Sequence, residues 1–201
     1  MKNKNLNLSK IDTIILAGGL GTRLSPLLKN KPKCLAPING KPFIDILLDN
    51  FIKQGLRRFI LCVGYLKEQV IQHLQKRSDC EIIFSEEINP LGTGGALKKA
   101  QKLIKSDPYI VLNGDSFIDI DIVKYIKWFK SNKKIISIVT KNINNSIRYG
   151  NINFNKNGLL TSFHEKKSTS STNYINAGMY LFQKNKVDFS CFNKNFLLEV
   201  E

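Results

Sequence analysis

The segment of the chain with the clearest chemical potential is a glycine-rich turn that follows a short apolar run, Leu16-Ala17-Gly18-Gly19-Leu20-Gly21-Thr22-Arg23-Leu24. Its three glycines let backbone N–H groups approach a phosphate or a base, and the guanidinium of Arg23 suits phosphate oxygens. The spacing differs from the dinucleotide-binding GxGxxG motif because position 23 is arginine, and Gly40-Lys41 precedes Pro42 instead of completing a Walker A motif. The turn therefore predicts a phosphate contact of another kind; a tight turn without a ligand is the alternative.

Lys33 and Asp115 are the next residues whose types suit phosphate chemistry. Lys33 follows Pro32, and a lysine held by a proline would supply a second cation for a triphosphate; a solvated surface lysine is the alternative. Asp115 comes shortly after an apolar run at 109–112, where a hard carboxylate suits Mg²⁺ that bridges phosphate oxygens. A turn or capping residue is the other interpretation of Asp115.

The elements that must position these residues alternate along the chain. Apolar runs predict strands at 13–16, 59–63, 81–84, 109–113 and 135–140, and helical periodicity predicts helices at 42–54, 67–74, 93–104 and 122–131. This alternation indicates an α/β fold, a Rossmann-like doubly wound and mostly parallel sheet. The runs at 150–154, 160–163 and 174–182 predict added antiparallel strands. Ligands bind at the carboxyl ends of strands in such sheets, where the glycine-rich turn and Asp115 fall.

Length and composition limit the function classes. The chain has 201 residues, of which 42% are hydrophobic and 23% charged, as in globular domains. We expect residues 1–10 to form a mobile N-terminal extension and residues 11–201 a single domain. The four cysteines are scattered without CxxC pairing, which favours neither a disulfide framework nor a zinc site.

The net charge of +15 comes from 31 basic and 16 acidic residues. Such a charge is typical of a nucleic-acid surface or of a phosphate-rich substrate, and compositional drift toward lysine is the alternative. The lysines are spread along the chain, so we expect no nucleic-acid partner. The apolar runs are strand-sized, and the N-terminal residues lack the apolar block of a signal peptide. We therefore expect no membrane partner and a cytoplasmic location.

Six ordered sequence blocks resemble the sugar-1-phosphate nucleotidylyltransferases, from Asp12 onward. The first is GGLGTRL, with the PK, P and GKP that follow it; the others are Glu87 with PLGTGGA at 90–96, NGD at 113–115, YG at 149–150, FHEK at 163–166 and NAG at 176–178. Within this family the chain is most similar to the D-glycero-D-manno-heptose 1-phosphate guanylyltransferases, and next to the mannose-1-phosphate guanylyltransferases. The resemblance implies the nucleotide-diphospho-sugar transferase type of fold.

The resemblance also implies a role for each block. The catalytic residues would be Arg23, Lys33 and Asp115, with Mg²⁺ on Asp115. The nucleotide would be bound by Leu16, Ala17, Gly18, Gly19, Gly21, Thr22, Glu87, Gly92 and Thr93. The sugar phosphate would be bound by Gly150, Glu165, Lys166 and Asn176. A single carboxylate can accept from both N1–H and N2–H₂ of guanine, so Glu87 favours GTP; a solvated acid, or Glu86 as the relevant residue, is the alternative.

The expected reaction joins an NTP, preferably GTP, to a heptose or mannose 1-phosphate and releases pyrophosphate. The same reaction with CTP, UTP or dTTP is one alternative, and a non-catalytic regulatory paralogue that binds a nucleotide-sugar is another. The family usually carries a second metal-binding aspartate beyond the NAG block, which the chain up to Glu201 lacks. We therefore expect either a C-terminally truncated domain or a second carboxylate that comes from elsewhere. A homo-oligomer is a further expectation. The resemblance alone suggests a role in polysaccharide biosynthesis.

Overall fold

A computed structural model describes residues 6–19, 30–143, 151–164 and 173–193, together with 195 and 198. Gly21, Thr22, Arg23, Gly150, Glu165 and Lys166 lie outside the described residues.

Ten strands and four α-helices alternate along the described parts of the chain. The strands are β1 (Asp12–Leu16), β2 (Pro37–Ile38), β3 (Lys41–Pro42), β4 (Arg58–Val63), β5 (Glu81–Glu86), β6 (Tyr109–Asn113), β7 (Ile136–Asn142), β8 (Asn151–Phe154), β9 (Leu160–His164) and β10 (Tyr174–Phe182). The helices are α1 (Phe43–Lys53), α2 (Lys67–Leu74), α3 (Gly92–Ala100) and α4 (Ile122–Ser131). Each predicted strand and helix is confirmed, with ends that differ by a few residues.

The main sheet has a parallel half and an antiparallel half. Its order is β5-β4-β1-β6-β10-β8-β9, and β7 also pairs with β10. β5, β4, β1 and β6 run parallel, whereas β10 is antiparallel to β6, to β7 and to β8. This confirms the α/β fold with added antiparallel strands.

Helices cover both faces of the sheet because each buries one apolar stripe. In α1 the buried positions Ile44, Leu47, Leu48 and Phe51 follow helical spacing. α1, α2 and α4 pack in one core cluster, and α3 packs with Ile14, Val111 and Phe182 in the other. The sheet is therefore doubly wound, as the sequence predicts.

The structure describes residues 6–10 of the segment predicted to be a mobile N-terminal extension. Leu8–Lys10 form a 3-10 turn in which the Asn7 side chain accepts a hydrogen bond from Ser9 N at 3.1 Å. Leu8 is buried in the core. Its apolar side chain thus anchors residues that composition alone assigns to a solvated tail. Among the described residues, no helix is long and apolar enough to span a bilayer.

Candidate active site

The carboxyl ends of β1, β4 and β6 meet at one point of the sheet. Ala17 N donates to Cys62 O at 2.9 Å, and Gly114 N donates to Leu16 O at 2.9 Å. These bonds hold the start of the glycine-rich turn between the ends of its two neighbouring strands. The described part of the predicted nucleotide-binding turn, from Leu16 to Gly19, therefore lies at the edge where an open α/β sheet binds ligands.

Three glycines of this edge lie close to neighbouring atoms, and at Gly114 the neighbour is backbone that leaves no room for a side chain. A Cβ at Gly114 would lie 2.7 Å from Leu16 O, and a Cβ at Gly64 would lie 3.0 Å from Gly18 O. A Cβ at Gly18 would lie 2.8 Å from Oε1 of Glu87. Gly64 is not among the predicted site residues, although its position directly after the apolar run at 59–63 was a signal that could have found it.

Glu87 is the buried carboxylate of the site. It is 7% exposed, its N–H donates to Val63 O at 2.7 Å, and its Oε2 accepts from Leu91 N at 3.1 Å. Burial raises the pKa of the Glu87 carboxyl above its ordinary value. Glu86 is paired instead with Lys67, at 2.9 Å between Nζ and Oε2. Of the two candidates, Glu87 is therefore the one that faces Gly18.

Gly92 and Thr93 begin α3 directly after the Glu87 loop. Gly92 has a φ of +73°, which favours glycine at this turn. Oγ1 of Thr93 accepts a hydrogen bond from Leu198 N at 2.9 Å. Backbone N–H groups at the start of a helix are donors of the kind that bind anionic ligands.

Lys33 and Asp115 meet although 82 residues separate them. Nζ of Lys33 contacts Oδ2 of Asp115, and both side chains remain partly exposed, at 36% and 42%. Lys33 begins the 3-10 turn Lys33–Leu35, which the buried side chain of Cys34 anchors in the core. Burial raises the pKa of the Cys34 thiol to about 11, so this cysteine is a packing residue and not a nucleophile.

The carboxylate of Asp115 is the type of ligand that binds a metal ion entering the site together with a nucleotide. Its Oδ1 accepts from Ser116 Oγ at 3.2 Å, and Oδ2 faces Lys33. Within the described ranges, no group of three or more His, Cys, Asp or Glu side chains could hold a metal. Mg²⁺ is often bound by one or two carboxylates plus substrate phosphates and water, and a single half-exposed carboxylate fits that mode.

The strands that carry the predicted sugar-phosphate blocks lie side by side. Asn151, next to Gly150, pairs in register with His164 of β9 and with Ile175 of β10. The residues that precede Glu165 and Asn176 are thus the two cross-strand neighbours of residue 151. The structure brings together the three strands but does not describe Gly150, Glu165 or Lys166 themselves.

Asn176 is engaged within its own strand. Its Oδ1 accepts from Gly178 N at 2.8 Å, and its Nδ2 donates to the hydroxyl of Tyr180 at 2.6 Å. This network spans an irregularity of β10 between residues 176 and 180, where Gly178 has a φ of +75°. A Cβ at Gly178 would lie 3.0 Å from Asn113, so the irregularity brings β10 against the start of the NGD block.

A doubly wound sheet with a glycine-rich first turn and a Lys–Asp pair at its carboxyl edge defines an α/β nucleotide-binding protein. Residues 12–195 match the nucleotidyl transferase family, and the chain belongs to that family.

Two relatives with named activities show which members of this family the chain is similar to. The chain is 39% identical over 190 residues to a D-glycero-alpha-D-manno-heptose 1-phosphate guanylyltransferase of Campylobacter jejuni, covering 94% of this chain and 83% of the relative. It is 35% identical to the mannose-1-phosphate guanylyltransferase catalytic subunit beta of Drosophila melanogaster, with 87% of this chain and 49% of the relative covered. The chain thus spans about half the length of that second relative.

The solved structures agree with the sequence relatives. HddC from Yersinia pseudotuberculosis superposes with a TM-score of 0.84 at 34% identity, covering 95% of this chain and 84% of HddC. A second structure of that protein, complexed with GMP-PN, superposes with a TM-score of 0.83 at 33% identity. The resemblance to sugar-1-phosphate nucleotidylyltransferases is confirmed.

Proposed function

We propose that this chain transfers a guanylyl group from GTP to a heptose or mannose 1-phosphate, forming a nucleotide-sugar and releasing pyrophosphate. The contact between Lys33 and Asp115 carries the proposal, because the fold joins a cation and a carboxylate from distant segments at the strand ends. The named activities of the Campylobacter and Drosophila relatives support guanylyl transfer. The solved complex of HddC with GMP-PN supports a nucleotide as a ligand of this chain.

In the proposed reaction an oxygen of the sugar 1-phosphate attacks the α-phosphorus of GTP. A new P–O bond forms, the bond from the α-phosphorus to the bridging oxygen breaks, and pyrophosphate leaves. Lys33, together with Arg23, neutralises the charge on the phosphates. Asp115 would hold Mg²⁺, which when bound supplies charge stabilisation to phosphate oxygens. Positioning and charge carry such a transfer, so no covalent enzyme intermediate is needed.

The position of Glu87 supports guanine as the base. Its Oε1 points at the Gly18 backbone, and its Oε2 is held by Leu91 N at 3.1 Å. A carboxylate fixed at the turn would accept from the adjacent N1–H and N2–H₂ donors of guanine. Adenine lacks this pair of donors, so we expect a preference for GTP over ATP.

The proposal is tested by pyrophosphate release in the presence of Mg²⁺. Each of the four NTPs is combined with D-glycero-α-D-manno-heptose 1-phosphate or mannose 1-phosphate, with wild type and Asp115→Asn compared. We expect release with GTP, and a fall in kcat of roughly 100- to 1,000-fold in the variant. Release with another NTP only would overturn the guanine assignment. Binding of the nucleotide-sugar without any release would instead select a regulatory paralogue.

A further inference from the structure

Four lysines line a single cleft beside the amino end of β6. The cleft has a volume of about 500 Å³ and lies between the end of α4, the loop before β7 and the turn after β10. Its basic lining residues are Lys130, Lys133, Lys134 and Lys186. We call it the lysine cleft. Its volume is within the range of small-molecule sites, so it can hold a ligand much larger than a phosphate ion.

The charge of the lysine cleft is not balanced within the described part of the chain. None of the four lysines forms an ion pair with a described acidic side chain. Among the lining residues Asp107 is the carboxylate, and it has other partners: Oδ1 accepts from Lys184 N at 3.0 Å, and Oδ2 accepts from Asn185 Nδ2 at 3.2 Å. Like charges that share a cleft repel each other, and a bound anion would remove this repulsion.

The end of α4 explains some of these lysines but not all of them. A cation near the last turn of a helix interacts favourably with the helix dipole, and Lys130 lies in the last turn of α4. Lys186 instead belongs to the 3-10 turn Lys184–Lys186 that follows β10. A hydrogen bond from Gln183 N to Ile135 O, at 2.8 Å, holds this turn at the cleft. The fold therefore adds a cation from a second segment of the chain.

Lys133 occupies a backbone position that favours glycine. Its φ is +51°, and the turn after α4 is closed by hydrogen bonds from Lys133 N to Lys130 O at 3.1 Å and from Lys134 N to Phe129 O at 3.3 Å. Helices commonly end on a glycine in this left-handed conformation, which costs free energy for a residue with a Cβ. The backbone therefore does not account for lysine at position 133, whereas a role of its charge in the cleft does.

Apolar residues complete the lining of the lysine cleft. Pro108 and Phe129 are buried, and Ile135 is half exposed. Ammonium groups suit phosphate oxygens, and an apolar wall suits the flat face of a ring. A nucleic-acid backbone would need a longer row of cations than one cleft supplies. The combination of a compact cationic lining with an apolar wall favours a small phosphorylated molecule that carries a ring.

We propose that the lysine cleft binds a nucleoside polyphosphate, with its phosphates on the lysines and its base against the apolar residues. The cleft includes Pro108, directly before β6, whereas Asp115 follows the carboxyl end of that strand. The two places are therefore distinct binding sites. This inference does not depend on the proposed function, because it requires no pyrophosphate release.

Acetylation of lysines in the presence of GDP tests the proposal on the unaltered chain. An acetyl ester modifies accessible amines, and mass spectrometry of the peptides reports the rate at each lysine. At a GDP concentration a few times the Kd, modification of Lys130, Lys133 and Lys186 should slow roughly fivefold. Lys127 is an exposed lysine of α4 outside the lining residues, so its rate should not change. Lys33 reports the candidate active site in the same experiment.

Lys133→Gly gives a second readout with the opposite sign for stability and for binding. Glycine suits the φ of this position, so the thermal midpoint should stay equal or rise. The GDP concentration that half-protects Lys186 should rise roughly 5- to 20-fold, because one charge-assisted contact is lost. Lys127→Ala is the matched control and should leave this concentration unchanged. A fall in thermal midpoint in Lys133→Gly, with unchanged protection of Lys186, would overturn the inference and assign Lys133 a structural role.

Three further outcomes would overturn the inference. Protection of Lys33 alone would restrict the nucleotide to the candidate active site. Equal protection of the cleft lysines by inorganic phosphate and by GDP at the same concentration would remove the assignment to a nucleotide. Protection by a single-stranded RNA oligonucleotide, without protection by GDP, would assign the lysines to a nucleic-acid surface.

Discussion

The charged side chains at the two ends of the parallel strands differ in burial and pairing. At the amino end, Asp12 is fully buried; its Oδ1 contacts Nη1 of Arg58, and its Oδ2 accepts from the backbone N–H groups of Lys105 and Ser106. Arg58 also donates from Nη2 to Leu103 O at 3.2 Å. At this end, therefore, a buried ion pair is also hydrogen-bonded to the backbone.

The carboxyl end leaves comparable groups open. Lys33 and Asp115 remain more than a third exposed, Glu87 is buried as a carboxylate with one backbone donor to Oε2, and Oδ1 of Asn113 is buried without a partner in the described ranges. Such groups lower stability but become favourable when a ligand supplies the missing partner. The contrast teaches that the amino end stabilises the sheet, while the carboxyl end is arranged for a substrate.

The same substitution at each end should give opposite results. Asp12→Asn removes the buried counter-ion of Arg58 and leaves only the exposed Glu81, whose Oε2 lies 3.1 Å from Arg58 Nε. The free energy of unfolding should therefore fall by up to about 3 to 5 kcal/mol. Asp115→Asn should leave the free energy of unfolding within about 0.5 kcal/mol, because the residue is surface-exposed. Urea unfolding of both variants measures the difference.

Arg58→Met is the control for the ion pair. Asp12 retains two backbone donors in this variant, so the loss of stability should be smaller than in Asp12→Asn. Below its unfolding transition Asp12→Asn should keep the wild-type kcat. Equal stability losses in Asp12→Asn and Asp115→Asn would remove the distinction between the two ends.

Much of the parallel half of the sheet, with the helices that cover it, could be predicted because apolar runs and helical periodicity are patterns of neighbouring residues. The helices at 67–74 and 122–131 match the predicted bounds, since apolar periodicity alone determines the buried face. The short β2–β3 hairpin was missed, although Asn39-Gly40, both with positive φ, is a typical two-residue hairpin turn.

Residues of the site could be predicted only where they lie in sequence blocks that resemble the family. Lys33 and Asp115 were singled out by residue type and family resemblance, but their contact depends on the packing of segments 82 residues apart. The lysine cleft gave no signal, because Lys186 joins Lys133 only through the hydrogen bond between the turn after β10 and Ile135. The roles of all the predicted site residues stay predictions, and Arg23, Glu165 and Lys166 lie outside the described residues.

Glu87→Gln tests whether the buried carboxylate serves the nucleotide. A glutamine can still accept from Leu91 N but offers no second acceptor for guanine, so the KM for GTP should rise roughly tenfold and the preference for GTP over ATP should narrow. Initial rates at varied GTP and ATP, with fixed sugar 1-phosphate, measure both effects. An unchanged nucleotide preference would leave Glu87 as a cap of the loop before α3.

The pH dependence of stability gives the same variant a second readout. The folded pKa of Glu87 is raised by burial, so the folded state binds the proton more tightly than the unfolded chain. Protonated Glu87 therefore stabilises the folded state relative to the ionised form. This stabilisation is fully present below the unfolded pKa of about 4.3 and is lost as pH rises through the folded pKa. At pH 7 wild type buries an ionised carboxylate that Glu87→Gln lacks, so the thermal midpoint of the variant should exceed that of wild type most at this pH. The difference between the two midpoints should shrink as pH falls toward 4.

The smallest effect is expected from Tyr109→Phe, at the amino end of β6. Tyr109 is fully buried and stacks on Phe182 with ring centroids 5.4 Å apart, yet its hydroxyl lacks a partner within the described residues. Since the candidate active site lies at the other end, removing the hydroxyl should raise the free energy of unfolding by up to about 1 kcal/mol and leave every kinetic constant unchanged. Chemical unfolding and pyrophosphate-release rates measure the two properties. A loss of activity in Tyr109→Phe would contradict the conclusion that the buried polar groups of the amino end serve stability alone.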